Sequence, residues 1–279
     1  MRTIKTKAGT EILLPKNDFL FKLIFGDERN KDILKGFLQA VLALPDSEFD
    51  VDLLDTRLKP QVQHDKLGVL DVRVKTKSGK VIDIEMQVAQ QAYIFERICF
   101  YLSKMLADQM DEGDWYDKIK KTISIVITDF AFIESGNNGV YHHCFRFTDP
   151  VDGAYFGAVE EIHTIELPKV PDVTDETAVW DWSKFIGVST EEELSMLAAK
   201  NEVLGQAVET LRRVSAQDEV RLEYEAREKA WRDEQARTAF ALQSGFAQGR
   251  AEGRAESRTE ILALIRQGYS ADEIERRYK

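Results

Sequence analysis

Residues 70–88 constrain the fold more tightly than any other stretch of the chain. LDVRVKT (70–76) alternates Leu70, Val72 and Val74 with Asp71, Arg73 and Lys75. VIDIEMQV (81–88) alternates Ile82, Ile84, Met86 and Val88 with Asp83, Glu85 and Gln87. A period of two marks β-strands with one apolar and one polar face. Between them, Lys77-Ser78-Gly79 is a three-residue closure with glycine at the left-handed position. That closure opposes Thr76 to Lys80, Arg73 to Asp83 and Asp71 to Glu85. Two carboxylates facing each other across strands repel. Protonation of one relieves the repulsion, and so does a bound cation. Mg²⁺ takes one or two carboxylates together with water and phosphate oxygens. Asp71 and Glu85 are therefore candidate metal ligands, and Gln87, on the same face, is placed to orient a water. Ordinary solvated sheet surfaces are also polar, and Asp83 reads as the surface ion-pair partner of Arg73.

The flanking sequence predicts more α/β structure. Residues 1–16 read as a lead-in strand or arm ending at Pro15. Asn17 or Asp18 caps a first helix, and Ile33, Leu34, Phe37, Leu38, Val41 and Leu42 recur at helical spacing until Pro45. Strand-like segments follow at about 50–58, 69–76 and 80–88. A long helix over QQAYIFERICFYLSKMLADQM ends by Gly113, and TISIVITDF (122–130) has the continuous β-branched character of a strand covered on both faces. The order is α-β-β-β-α-β. Two further strands, VYHHCFRF and EIHTIEL, follow the GNNG turn signal, and PKVPDVTD (168–175) reads as a boundary loop. Helix alone is expected from 176 onward, with Thr190 and Glu193 as a capping box. Gly245, Gly249 and Gly253 recur every four residues in phase with Arg250, Arg254 and Arg258. The final ILALIRQGYSADEIERRYK reads as helix, turn and short helix.

At 279 residues, 43% hydrophobic and 31% charged, the composition is globular. The net charge of −11 argues against coating nucleic acid by bulk attraction, although a cleft or a bound ion governs its own local field. No apolar run is long enough for a membrane span, and the opening residues lack the apolar segment of a signal peptide. Two distant cysteines, Cys99 and Cys144, fit a reducing cytoplasm. The flanks of the Gly-x-x-x-Gly run are full of Arg and Glu, so the run needs no membrane reading. Neither a glycine-rich phosphate loop nor a recognisable Ser/His/Asp arrangement is present.

Other candidates carry paired readings. On the first helix, Lys22 reads as a surface lysine and Asp18 as a cap. Arg97 and Tyr101, one helical turn apart, meet a phosphate or a base, or else form a structural salt bridge and a half-buried tyrosine; Gln109 follows near the same stripe. His142, His143 and Cys144 resemble a zinc cluster, but neighbouring strand positions point to opposite faces. His64 and Lys66 precede the Asp71 strand in a loop. Trp180 and Trp182 pack the helical region onto the core. The stripe Val203, Leu204, Ala207, Leu211, Val214 wants a partner surface, either another copy or the chain's own core.

The strings NDFLFKLIFGDERNKDILKGFLQAVL, DKLGVLDVRVKTKSGKVIDIEMQV and FERICFYLSKMLADQMDEGDWYDKIKKTISIVITDF resemble the Rpn family of recombination-promoting nucleases and transposases, within the PD-(D/E)xK nuclease superfamily. The tail strings EYEAREKAWRDEQ and GRAEGRAE are similar too. The resemblance implies a restriction-endonuclease-like αβββαβ core over 12–170, followed by a helical C-terminal region over 175–279 that serves oligomerisation or interaction. It implies a metal-dependent DNA endonuclease linked to recombination and mobile elements. Asp71 and Glu85, with the Met86 backbone carbonyl, would hold Mg²⁺, Mn²⁺ or Ca²⁺, Asp18 on the first helix would be a supporting acid, and Lys22, Arg97 and Tyr101 would meet DNA. Gln87 stands where the superfamily motif has lysine. A glutamine orients water but supplies no charge, so the alternative is a weak or inactive nuclease fold used for interaction or assembly.

Overall fold

The computed structural model describes residues 3–45, 50–58, 70–134, 139–157 and 159–277. His64, Lys66 and most of the GNNG turn lie outside these. Residues up to Tyr224 form one compact unit, and those from Glu225 form another.

The first unit opens with a small antiparallel hairpin, β1 (Thr3–Lys5) and β2 (Glu11–Leu13), rather than a single lead-in strand. Then come α1 (Asp18–Phe25), a 3₁₀ turn (Glu28–Asn30) and α2 (Lys31–Leu42). Asn17 caps α1, its side chain accepting from the Phe19 and Leu20 amides. Three strands follow: β3 (Val51–Leu53), β4 (Val72–Thr76) and β5 (Val81–Gln87). Helix α3 (Ile94–Ala107) leads to β6 (Thr122–Thr128), and then to β7 (His142–Phe145) and β8 (Glu160–Glu166). The six strands form one sheet in the order β3-β4-β5-β6-β8-β7, with β5, β6 and β8 parallel and the rest antiparallel. A parallel β5–β6 pair requires a crossover, and α3 supplies it. All seven residues of β6 are buried, as its unbroken apolar run predicts.

The main core lies on one face of the sheet. Val72, Val74, Ile82, Ile84, Ile123, Ile125 and Ile127 pack there against α1 and α2 and against three later helices, α4 (Ala178–Ile186), α5 (Glu191–Ala198) and α6 (Glu202–Ser215). Phe25 touches Phe21, Phe37, Trp182 and Phe185 at ring centroid distances of 4.6–6.5 Å. Burying each such side chain contributes roughly 1.5–3 kcal/mol. Thr190 and Glu193 form the expected capping box on α5.

Packing revises several expectations. Leu204, Ala207, Leu211 and Val214 of α6 are buried in the chain's own core, so this stripe does not serve another copy. Helices α4–α6 share the core of the sheet, and the first compact unit therefore runs well past the boundary expected at 170–175. Leu70 leaves the Val72/Val74 face: β4 begins only at Val72, and Leu70 packs with Val81, Leu102 and Met105 under α3. Helix α3 stops at Ala107, well before Gly113. There Gln109 turns back to the sheet, donating to the Lys120 carbonyl at 3.0 Å and to Thr122 Oγ1 at 2.8 Å.

Helix α7 (Asp218–Arg266) begins in the first unit, where Val220 and Tyr224 close the core. The second unit comprises the rest of α7, a turn at Gly268 with φ 91°, and α8 (Ala271–Arg277). Ser270 and Glu273 cap α8 reciprocally, and Leu264 of α7 and Ile274 of α8 are buried.

Candidate active site

The hairpin register is as its turn dictates. Arg73 opposes Asp83, and Val72 opposes Ile84 as the last pair of the ladder. Gly79 takes the left-handed conformation at φ 91°, and Thr76 N donates to the Lys80 carbonyl at 2.9 Å. Asp71 and Glu85 are the next opposed positions. Asp71 sits just outside the strand, and one carboxylate oxygen, Oδ2, accepts from the Met86 amide at 2.9 Å. It is thus the Met86 N–H that the structure places on Asp71. The other oxygen, Oδ1, lies 2.9 Å from Lys22 Nζ of α1.

The polar face of β5 is not a surface. Asp83 is 1% exposed and Glu85 8% exposed, because α3 lies across them. Helix α3 follows Tyr93, held left-handed at φ 62°, and turns Ile94, Arg97, Ile98 and Tyr101 toward the strand. Between helix and sheet is a cavity of about 20 Å³ lined by Asp83, Glu85, Gln87, Arg97, Tyr101 and Ser124, among others. That volume holds about one water molecule.

The electrostatics follow from this burial. Glu85 Oε2 accepts from Gln87 Nε2 at 3.0 Å, while Oε1 is buried and has no hydrogen-bond partner among the described residues. Burial, and then the charge of Asp71, push the Glu85 carboxyl up to about 7, against the opposing pull of Arg97 and Gln87. Asp83 is pushed well above the ordinary carboxylate range by burial and then by Glu85 and Asp71. Its Oδ1 is also orphaned, and Ser124 Oγ reaches its Oδ2 only at 3.5 Å.

Three acids thus converge where the sequence suggested two. By sequence Asp83 reads as a surface partner of Arg73, but α3 covers it, and Arg73 lies 3.7 Å from Asp108 at the end of α3. The signal was present: Asp83 shares the face of Glu85 by alternation. Lys22 joins the site. Arg97 and Tyr101 line the cavity, with the guanidinium 5.4 Å from the tyrosine ring centroid and Nη1 donating to Gln91 Oε1 at 2.8 Å. Gln109 is engaged at the start of β6 and does not join them. Asp18 is the first residue of α1, with Asn17 as the cap. His142 and His143 diverge as strand neighbours must: His142 Nε2 lies 2.9 Å from His163 Nδ1, whereas His143 stacks on Phe145.

A family model described as PD-(D/E)XK nuclease family transposase matches residues 15–241. The chain belongs to this family. The match begins just before α1, takes in the whole sheet and helices α3–α6, and ends within α7. A nuclease-like function is thereby supported for this PD-(D/E)XK family member, and the resemblance read from its sequence is borne out. No curated protein and no solved structure matches the chain. Among the described residues, no helix is long and apolar enough to cross a membrane.

Proposed function

We propose that this PD-(D/E)XK family member is a divalent-metal-dependent DNA endonuclease, with Asp71 and Glu85 as the metal ligands. The observation that carries the reading is the buried, unpartnered Oε1 of Glu85 beside the charge of Asp71. A buried orphan carboxylate oxygen is costly, and a hard dication is the partner that two apposed carboxylates fit. The chain order α1-α2-β3-β4-β5-α3-β6 supports a restriction-endonuclease-like αβββαβ core within 12–170, with α4–α6 bracing it and the helices beyond as an interaction region.

A bound Mg²⁺, or Mn²⁺ in its place, supplies charge neutralisation and an activated water for phosphodiester hydrolysis. The chain's own residues do the rest. Asp71 and Glu85 hold the ion, and the Met86 carbonyl is the third ligand of the proposal. Gln87, already bonded to Glu85, orients the water. Lys22 and Arg97 meet the phosphate, and Tyr101 supports Arg97 from below. The family description links the activity to transposition, and hence to recombination. The free thiols of Cys99 and Cys144 favour a cytoplasmic setting.

Two observations favour the alternative, a catalytically weak or inactive nuclease fold acting as an assembly module. The cavity has room for about one water and not for a phosphate, and Lys22 engages Asp71. Incubating the full chain and its Asp71→Ala variant with plasmid DNA and Mg²⁺, Mn²⁺ or Ca²⁺ separates the readings. Nicking by the wild type that falls by roughly 10²-fold or more in the variant is the expected result. Equal nicking by both, or none by either with any metal, overturns the catalytic proposal.

A further inference from the structure

A second group of metal-type ligands lies on the opposite face of the sheet. Strand pairing puts Cys144 of β7 directly across from His163 of β8, and Glu161, two residues before His163, shares their face. His163 is level with Ile125 of β6, while Glu85 is level with the next residue, Val126. The two sites therefore point to opposite sides. The ligand atoms of Cys144, Glu161 and His163 all lie within 4.8 Å of one another.

We propose that these three side chains form a zinc site, independent of the nuclease reading. The donor set is one thiol, one imidazole and one carboxylate. Zinc accepts all three in tetrahedral geometry, whereas Mg²⁺ and Ca²⁺ take oxygen ligands. The outer shell is already arranged. Glu161 Oε2 is held by Lys121 Nζ at 2.8 Å and Arg146 Nε at 2.5 Å, which leaves Oε1 facing His163 Nε2 at 2.8 Å. His163 Nδ1 lies 2.9 Å from His142 Nε2. A ligating histidine is normally fixed through its second nitrogen in this way. Cys144 is exposed on the edge strand, so an ion has a path in.

The proton accounting closes simply. His163 changes from the Nε2–H to the Nδ1–H tautomer and donates to His142 Nε2, while His142 carries its proton on Nδ1. Both rings stay neutral, and the proton released to solvent is that of the Cys144 thiol. Thiolate and carboxylate together balance the dication, and a fourth position is left to water.

The test uses the full-length Asp71→Ala protein, so that the hairpin site does not contribute. Titration with Co²⁺ is expected to give the near-ultraviolet thiolate-to-cobalt charge-transfer band and to be reversed by equimolar Zn²⁺ but not by Mg²⁺. Adding Cys144→Ser should abolish the band and weaken zinc binding by more than the roughly 10- to 100-fold typical of losing a partner that only orients a ligand, whereas adding Cys99→Ser should leave both unchanged. X-ray absorption at the zinc edge of the unsubstituted protein should show one sulfur at about 2.3 Å. Absence of the band, its persistence in the Cys144→Ser protein, or a zinc shell without sulfur overturns the proposal. The plasmid assay reports on the hairpin site alone, so either proposal can fail without the other.

Discussion

Glu85 carries two opposing requirements at the residue scale. It must be ionised to hold a cation, yet α3 has removed it from water and Asp71 lies beside it. Folded Glu85 keeps its proton up to about 7, against 4.5 for an ordinary glutamate. Between those values the folded state binds more proton than the unfolded chain. Stability therefore falls as pH rises from about 4.5 to 7, and the cost is complete above that. It is on the order of 3 kcal/mol. Glu85→Gln is thus expected to stabilise the metal-free protein by about that amount at pH 8 and by much less at pH 5, as read by urea denaturation. An equal effect at both pH values would show that Glu85 is not raised. Gln87→Lys should act in the other direction on the titration. Gln87 Nε2 is 3.0 Å from Glu85 Oε2, and a cation placed there would lower the Glu85 titration by roughly 1–3 pH units. NMR titration of the glutamate side-chain carbon checks this.

At the scale of elements, α2 shows how a local preference yields to packing. Gly36 lies in the middle of the helix, where alanine is ordinarily better by about 1 kcal/mol. A Cβ built there would come 2.8 Å from Val203 Cγ1 and 3.0 Å from Trp182 Cζ2. Overpacking of this kind costs typically 1–3 kcal/mol, so the clash wins. Gly36→Ala is expected to destabilise by up to about 2 kcal/mol, the difference of those two terms. Val203→Ala in the same chain should recover part of that loss. Additive denaturation free energies would dismiss the contact. The capping box is a simpler case: Thr190→Ala should cost about 0.5–2 kcal/mol in the same assay.

At the scale of the molecule, Tyr224 marks where the first unit closes. Tyr224 is 1% exposed, and Arg221 Nη2 donates to the Glu11 carbonyl at 2.5 Å. A chain ending at residue 217 loses both, and its unfolding free energy should drop by roughly 3–5 kcal/mol, the cost of removing one large buried aromatic. A chain ending at 228 should keep most of its stability. The chain ending at 228 also addresses association. With the α6 stripe committed to the core, exposed Phe240, Leu242 and Phe246 on α7 are among the apolar residues that can meet another copy. Light scattering should show a smaller oligomer for residues 1–228 than for the full chain. An unchanged mass would remove the C-terminal helices from any role in assembly.

Local information alone determined the hairpin. Alternation set which residues share a face, the Lys77-Ser78-Gly79 turn set the register, and Asp71 and Glu85 followed as opposed positions. Asn17, Thr190 and Glu193 marked helix starts for the same reason, since caps depend on neighbours a few residues away. What covers each face depends on the whole chain, and only the tertiary structure decided it. The crossover helix α3 buried Asp83 and turned an apparent surface ion pair into a third acid of the site. Helix α1 delivered Lys22 to Asp71, and the β7–β8 register brought Cys144 to His163. These pairs are far apart in sequence, so no periodicity encodes them. Their burial decides whether a carboxylate is solvated, protonated or held ready for a metal.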